Sequence, residues 1–230
     1  MTDIHTIATS RRSLLAGFGL GAGALVLPGC SSFGYGPIDA IERLLLLSSQ
    51  RAFDRMTAPG GFWDQQVAQI GLNSIFGSRG DVLSRILTGG LFKNRLEDAF
   101  ADIAVDGAEA AAPIVYDTVR TIGYRNAADL ITGGPRAATS FLRGNMGTTL
   151  IEAMVPELGQ AMRISQDPLI GQVVSGLSGV DVNGISRNFS SGIDNAIWNE
   201  IGFEEENIRR DPRSTRDPAI IAVFGGAGAF

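Results

Sequence analysis

Five apolar residues, Ile185, Phe189, Ile193, Ile197 and Ile201, stand four apart in the C-terminal third of the chain. That spacing keeps them on one face of an α-helix and predicts a core helix over residues 185–201. A second stripe, Phe92, Leu96, Ala99, Phe100 and Ile103, is interleaved with Lys93, Arg95, Glu97, Asp98 and Asp102. This is the pattern of a helix with one buried face. It continues through Ala108, Ala111 and Ala112, whose small side chains admit a closely packed neighbour. Pro113 lacks an amide hydrogen and is expected to kink this helix or begin a new one, with Val115, Val119 and Ile122 extending the apolar face. A third stripe, Ile38, Ile41, Leu45, Ala52 and Met56, stops at Pro59-Gly60-Gly61. A fourth, Leu150, Met154, Leu158 and Met162, contains Pro156, where a kink or restart is expected.

Shorter helices are expected between these four. Phe62 to Phe76 carries Trp63, Val67 and Ile70 on one side, and residues 82–87 follow a Gly-Ser-Arg-Gly break. The Arg79-Gly80-Asp81 tripeptide within that stretch reads as a loop and helix cap. Asn126 to Ile131 closes at Gly133-Gly134, and Pro135 suits the first turn of the next helix. Asp167 to Asn183 reads as a short helix and loop, with Asp181 at a helix-entry turn. Pro212 ends the charged run from Phe203 to Arg210, and Ile220 to Phe224 reads as a docking segment. No strand pattern emerges. The expected fold is all-α, an irregular bundle of about nine to eleven helices in one domain over residues 38–224, with a flexible tail at 225–230.

The N-terminus follows a different rule. Arg11 and Arg12 precede an uncharged apolar run from Leu14 to Leu27, and Cys30 stands behind Gly29. Basic residues, a short apolar core and a small residue at the exit compose an export signal, with the paired arginines of the twin-arginine route. A spanning helix wants about 20 apolar residues; this run is shorter and broken by Gly17, Gly19, Gly21 and Gly23. The ending resembles a lipoprotein signal, which implies cleavage after residue 29 and lipidation of Cys30. Residues 30–37 then form a lipidated tether.

Cleavage changes the available chemistry. The chain has 19 basic and 24 acidic residues, one cysteine and one histidine. Loss of Asp3, Arg11 and Arg12 would leave 17 basic and 23 acidic residues, a balance unsuited to nucleic acid, whose binding needs clustered cations. His5 goes with the signal, and acylation would occupy Cys30. The mature domain then has no residues for a Ser-His-Asp triad, a histidine zinc site or a disulfide. No catalytic, cofactor-binding or metal-binding set is expected, and no cofactor.

Two stretches carry a resemblance. One is Asp129-Leu130-Ile131, Gly133-Gly134, Ala137-Ala138-Thr139 and Phe141-Leu142-Arg143. The other is Glu205-Glu206, Ile208-Arg209 and Pro212, followed by Val223-Phe224-Gly225. Together they resemble the bacterial family numbered 4197 among the domains of unknown function, over about Asp39 to Gly225. The resemblance implies an exported, mostly helical protein without an assigned activity. The turn after Pro212 departs from the family's pattern, with Arg213-Ser214-Thr215 in place of Arg-Thr-Thr.

The hallmark residues Thr139, Arg143, Glu205, Arg209 and Pro212 are the candidate functional surface. Glu205 and Arg209 share a helix face and are placed to pair. Arg143 is expected to pair with a buried carboxylate such as Asp129. Arg209, Arg210, Arg213 and Arg216 form a small basic patch offset by Asp211 and Asp217. Two functions compete. The first is a non-catalytic cell-envelope lipoprotein on the periplasmic side of the outer membrane. It is held there by Cys30 and binds an envelope protein or a small apolar ligand. The second is a carboxylate-based hydrolase of an envelope polymer, built on the Glu204–Glu206 run, which needs two acids about 5–10 Å apart in a cleft.

Overall fold

In the computed structural model, four long helices supply most of the core. They are α1 (Pro37–Thr57), α4 (Gly90–Thr121), α7 (Thr149–Ile164) and α8 (Val182–Arg210). Shorter helices fill the ends: α2 (Phe62–Ile70), α3 (Leu72–Phe76), α5 (Ala127–Thr132), α6 (Ala137–Met146) and α9 (Pro218–Phe224), with a 3-10 turn at Pro212–Thr215. The structure describes residues 36–77, 90–165, 167–171 and 181–226; labels number the elements named among these. The chain divides at Gly34/Tyr35, and all the described residues belong to the second unit. Every regular element named among them is helical, as the apolar periodicities require. The expected helix over 82–87, the Arg79-Gly80-Asp81 loop and the whole N-terminal signal lie outside the described residues.

The long helices form a closed circuit. α1 packs on α4 and α8, and α7 packs on the same two helices from the other side. Most of each apolar stripe read from the sequence faces inward: Ile41, Leu45, Leu96, Phe100, Leu158, Phe189, Ile193 and Ile197 are fully or almost fully buried, while Ile38, which opens the stripe of α1, is half exposed. Phe76, Phe100 and Phe189 stack edge to face in series, with ring centroids 5.6 and 5.1 Å apart, a preferred aromatic geometry.

Small residues set the closest approach. Ala104, Gly107, Ala108 and Ala111 of α4 are buried. A Cβ at Gly107 would lie 3.0 Å from Leu158 of α7 and 3.3 Å from Ile193 of α8. A larger residue there would overpack the point where the three helices meet.

Local expectations are narrowed at three points. Pro113 lies inside α4, a single helix of 32 residues, and Pro156 lies inside α7, a single helix of 16, so neither proline begins a new helix. Proline removes one backbone bond, and burial of Ala111, Val115, Met154 and Leu158 on both sides of the prolines holds each helix together. The expected helix from Phe62 to Phe76 is instead two, α2 and α3, because Gly71 sits at φ 76° between them. That backbone conformation suits glycine and interrupts a right-handed helix.

Candidate functional site

Hallmark residues Thr139, Glu205 and Arg209 meet where α5, α6, α8 and α9 converge. Glu205 lies on the inner face of α8 with its side chain fully buried. Its carboxylate accepts hydrogen bonds from the backbone N–H of Ala138 at 3.0 Å and Thr139 at 2.7 Å. These amides belong to the first turn of α6, where N–H groups have no partner within their own helix. A carboxylate there satisfies them and matches the positive end of the helix dipole.

Arg209, one turn along α8, completes the arrangement. Its Nε donates to Glu205 at 2.8 Å. Its Nη1 and Nη2 donate to the carbonyls of Ile131 at 3.0 Å and Leu130 at 2.7 Å. Those carbonyls lie in the last turn of α5, which is the negative end of that helix. The guanidinium also lies over the ring of Phe224, 4.8 Å from its centroid. One ion pair thus fastens the end of α5, the start of α6 and α9 to α8.

The turn between α5 and α6 needs its glycine. A Cβ at Gly133 would lie 2.7 Å from the Ala137 methyl and 2.8 Å from the Asp129 carbonyl. Pro212 begins the 3-10 turn after α8 and is buried. Thr139 is buried on α6, with its backbone amide on Glu205; its hydroxyl has no hydrogen-bond partner among the described residues.

Arg143 has a different partner from the one expected. It reaches Asp194 of α8, not Asp129: its Nη2 donates to the Asp194 carboxylate at 3.1 Å and also to the side-chain carbonyl of Asn195. α6 lies against α8, so the buried acid that faces it comes from that helix. Trp198 donates its indole N–H to the other Asp194 oxygen at 2.8 Å. Burial pushes the Asp194 carboxyl above its ordinary range, and the bonds from Trp198 and Arg143 only partly counter this.

The basic patch disperses. Arg209 is inside the fold, and Arg210 pairs with Glu206 at 2.8 Å. Asp217 pairs with Arg43 of α1 at 2.9 Å and caps α9 through the amides of Ala219 and Ile220. Burial alone would raise the Asp217 carboxyl, but Arg43 and the two capping amides outweigh it and hold it below the ordinary range. Asp181 caps α8 by accepting from the Gly184 amide, as its position at a helix entry indicates.

A second polar region was not anticipated. Between α2, α3 and α8 lies an open groove of about 400 Å³, lined by Gln66, Gln69, Ser74, Asn188, Asn195 and Asn199 among others. Its sequence signal is present: Asn188, Ser191, Asn195 and Asn199 recur at helical spacing beside the isoleucine stripe. Among the described residues no group of three or more His, Cys, Asp and Glu side chains is placed to hold a metal ion.

The model of a family described as a protein of unknown function (DUF4197) matches residues 37–225, which spans both hallmark stretches. No curated protein and no solved structure matches the chain.

Proposed function

The chain belongs to this family of unknown function, and we propose that it is a non-catalytic cell-envelope lipoprotein whose helical domain binds an envelope component beside the membrane. The observation that carries the non-catalytic part is the buried Glu205–Arg209 pair. The acid and base that stand out most in the hallmarks are fully engaged with helix ends. Their role in this reading is to hold the fold in one arrangement.

The envelope address rests on Arg11, Arg12 and Cys30. No helix among the described residues is long and apolar enough to cross a membrane, so attachment in this reading falls to the lipid on Cys30. A single acyl chain anchors only marginally, whereas the several chains of a bacterial lipoprotein hold it stably. Ser31 after the cysteine favours the outer membrane as destination. A protein surface or other polar component suits the domain better than a small apolar ligand, because the apolar stripes of α1, α4, α7 and α8 are packed against one another.

The hydrolase alternative would draw on the Glu204–Glu206 run. There Glu205 lies under Arg209, and Glu206 is shared between Arg136 at 3.1 Å and Arg210 at 2.8 Å. Substitution of Cys30→Ala tests the lipoprotein reading. After cell fractionation the variant is expected in the soluble periplasmic fraction. A variant that still sediments with membranes would contradict anchoring through Cys30.

A further inference from the structure

The groove between α2, α3 and α8 is neutral on a chain whose net charge is −5. None of its ten lining residues is charged, five are carboxamides and two are hydroxyls, so ionic recognition is not what it is built for. A carboxamide presents a donor and an acceptor at the same end. A sugar hydroxyl, which also donates and accepts, is its natural complement. No lining residue offers a counter-charge to an anionic ligand, and Arg143, which reaches Asn195 at the edge, is already paired with Asp194. An apolar one would strip water from the amides without replacing its hydrogen bonds, at about 1–3 kcal/mol for each group left unpaired.

The lining is partly fixed and partly free. Asn188 donates to the Ile75 carbonyl at 3.3 Å, which ties α8 to α3. Asn195 donates to the Ser191 carbonyl at 2.9 Å and accepts from Arg143. Gln69 and Asn199 line the same groove and are exposed, and Gln66 beside them is partly buried. The floor is apolar and shallow. A Cβ at Gly192 would lie 2.8 Å from Ile70, so Ile70 rests on the bare glycine, with Ala196 one turn away. A pyranose has the matching form, with hydroxyls around its edge and a C–H face for such a floor. The volume lies within the roughly 300–1,000 Å³ of ligand pockets.

We propose that this groove binds a neutral carbohydrate, with Gln66, Gln69 and Asn199 bonding its hydroxyls and Ile70, Gly192 and Ala196 receiving the C–H face of a ring. The proposal names a ligand for the binding function above and rests on that reading in this respect alone. Fractionation of the Cys30 variant tests where the protein sits, and the groove is tested separately. A peptide fits less well, since recognition of an extended segment uses pockets for alternate side chains and this floor has Ile70, Gly192 and Ala196 in their place.

The test is ligand-observed saturation-transfer NMR on the full chain in a zwitterionic, sugar-free detergent. The probes are chitobiose, maltose, cellobiose, glucuronic acid and tetra-alanine. Transfer is expected to at least one neutral disaccharide and not to glucuronic acid. A Gln69→Ala/Asn199→Ala variant should weaken it by about tenfold or more, and Asn199→Asp, which puts a charge in the groove at nearly constant volume, should do the same. Circular dichroism of both variants should match the parent. The proposal is overturned by absence of transfer to all three disaccharides, by undiminished binding in both variants, or by preferential transfer to glucuronic acid or the peptide.

Discussion

The two halves of α8 handle polarity in opposite ways. Toward its C-terminus, Glu205 and Arg209 are charged, buried and bonded to backbone groups of α5 and α6. Toward its N-terminus, Asn188, Asn195 and Asn199 are neutral and line an open groove. The neutral row runs beside the isoleucine stripe, and Glu205 and Arg209 continue the four-residue spacing of that stripe beyond Ile201. The difference teaches which polar residues make the fold and which it leaves available. Polar groups at helix ends inside the protein must be satisfied, because an unpaired buried donor or acceptor is costly. Amides facing water have no such obligation. The hallmark pair Glu205–Arg209 falls in the first class, and the groove falls in the second.

That contrast is open to mutation, and the largest effect belongs to the buried end. Glu205→Ala leaves Arg209 without its carboxylate and two amides of α6 without their acceptor. Removing one member of a buried pair costs about 3–5 kcal/mol, a large share of the roughly 5–15 kcal/mol that holds a domain folded. Chemical denaturation followed by circular dichroism measures it. A loss under about 1 kcal/mol would place the pair with ordinary surface salt bridges.

Two acids, buried Asp194 and partly buried Asp217, sharpen the comparison through pH. Asp194 has its folded pKa raised by burial. Its contribution to stability is therefore fullest below the ordinary carboxylate pKa and is lost as pH rises through the raised folded value. Asp217 has its folded pKa lowered, chiefly because Arg43 and the amides of Ala219 and Ile220 overcome burial. Its contribution is present above the ordinary value and is lost as pH falls through the lowered one. Thermal melts between neutral and acid pH should lose one slope in Asp194→Asn and the opposite slope in Asp217→Asn. Changes of the same sign in both variants would refute the assignment. The smallest effect belongs to the groove: Asn199→Ala should alter stability by no more than about 0.5 kcal/mol, as surface changes do. A larger loss would mean that the residue is part of the framework.

How much of this was legible in the sequence follows the same division. The four long helices could be read because an apolar residue every three or four positions survives in the text. The Glu205–Arg209 pairing could be read because both partners lie within one turn. Its purpose could not, because Leu130, Ile131, Ala138 and Thr139 are more than sixty residues away and only packing brings them together. Arg143 shows the same limit. Asp129 is the nearest aspartate in sequence, while the acid facing Arg143 is Asp194, placed by the contact of α6 with α8. Proline and glycine punctuated less regularly than local rules suggest. Pro113 and Pro156 sit within continuous helices, and the single Gly71 divides a stretch that reads as one. The amide row on α8 was visible at helical spacing, but its partners Gln66 and Gln69 come from α2.

The central claim is that the hallmark acid and base form one structural unit. A double-mutant cycle of Glu205→Ala and Arg209→Ala, measured by urea unfolding, tests it most directly. Residues in one such network couple by about 0.5–3 kcal/mol. The account predicts a coupling near the top of that range, with the double variant little less stable than either single one. Losses that simply add would show that Glu205 and Arg209 act independently and would contradict it.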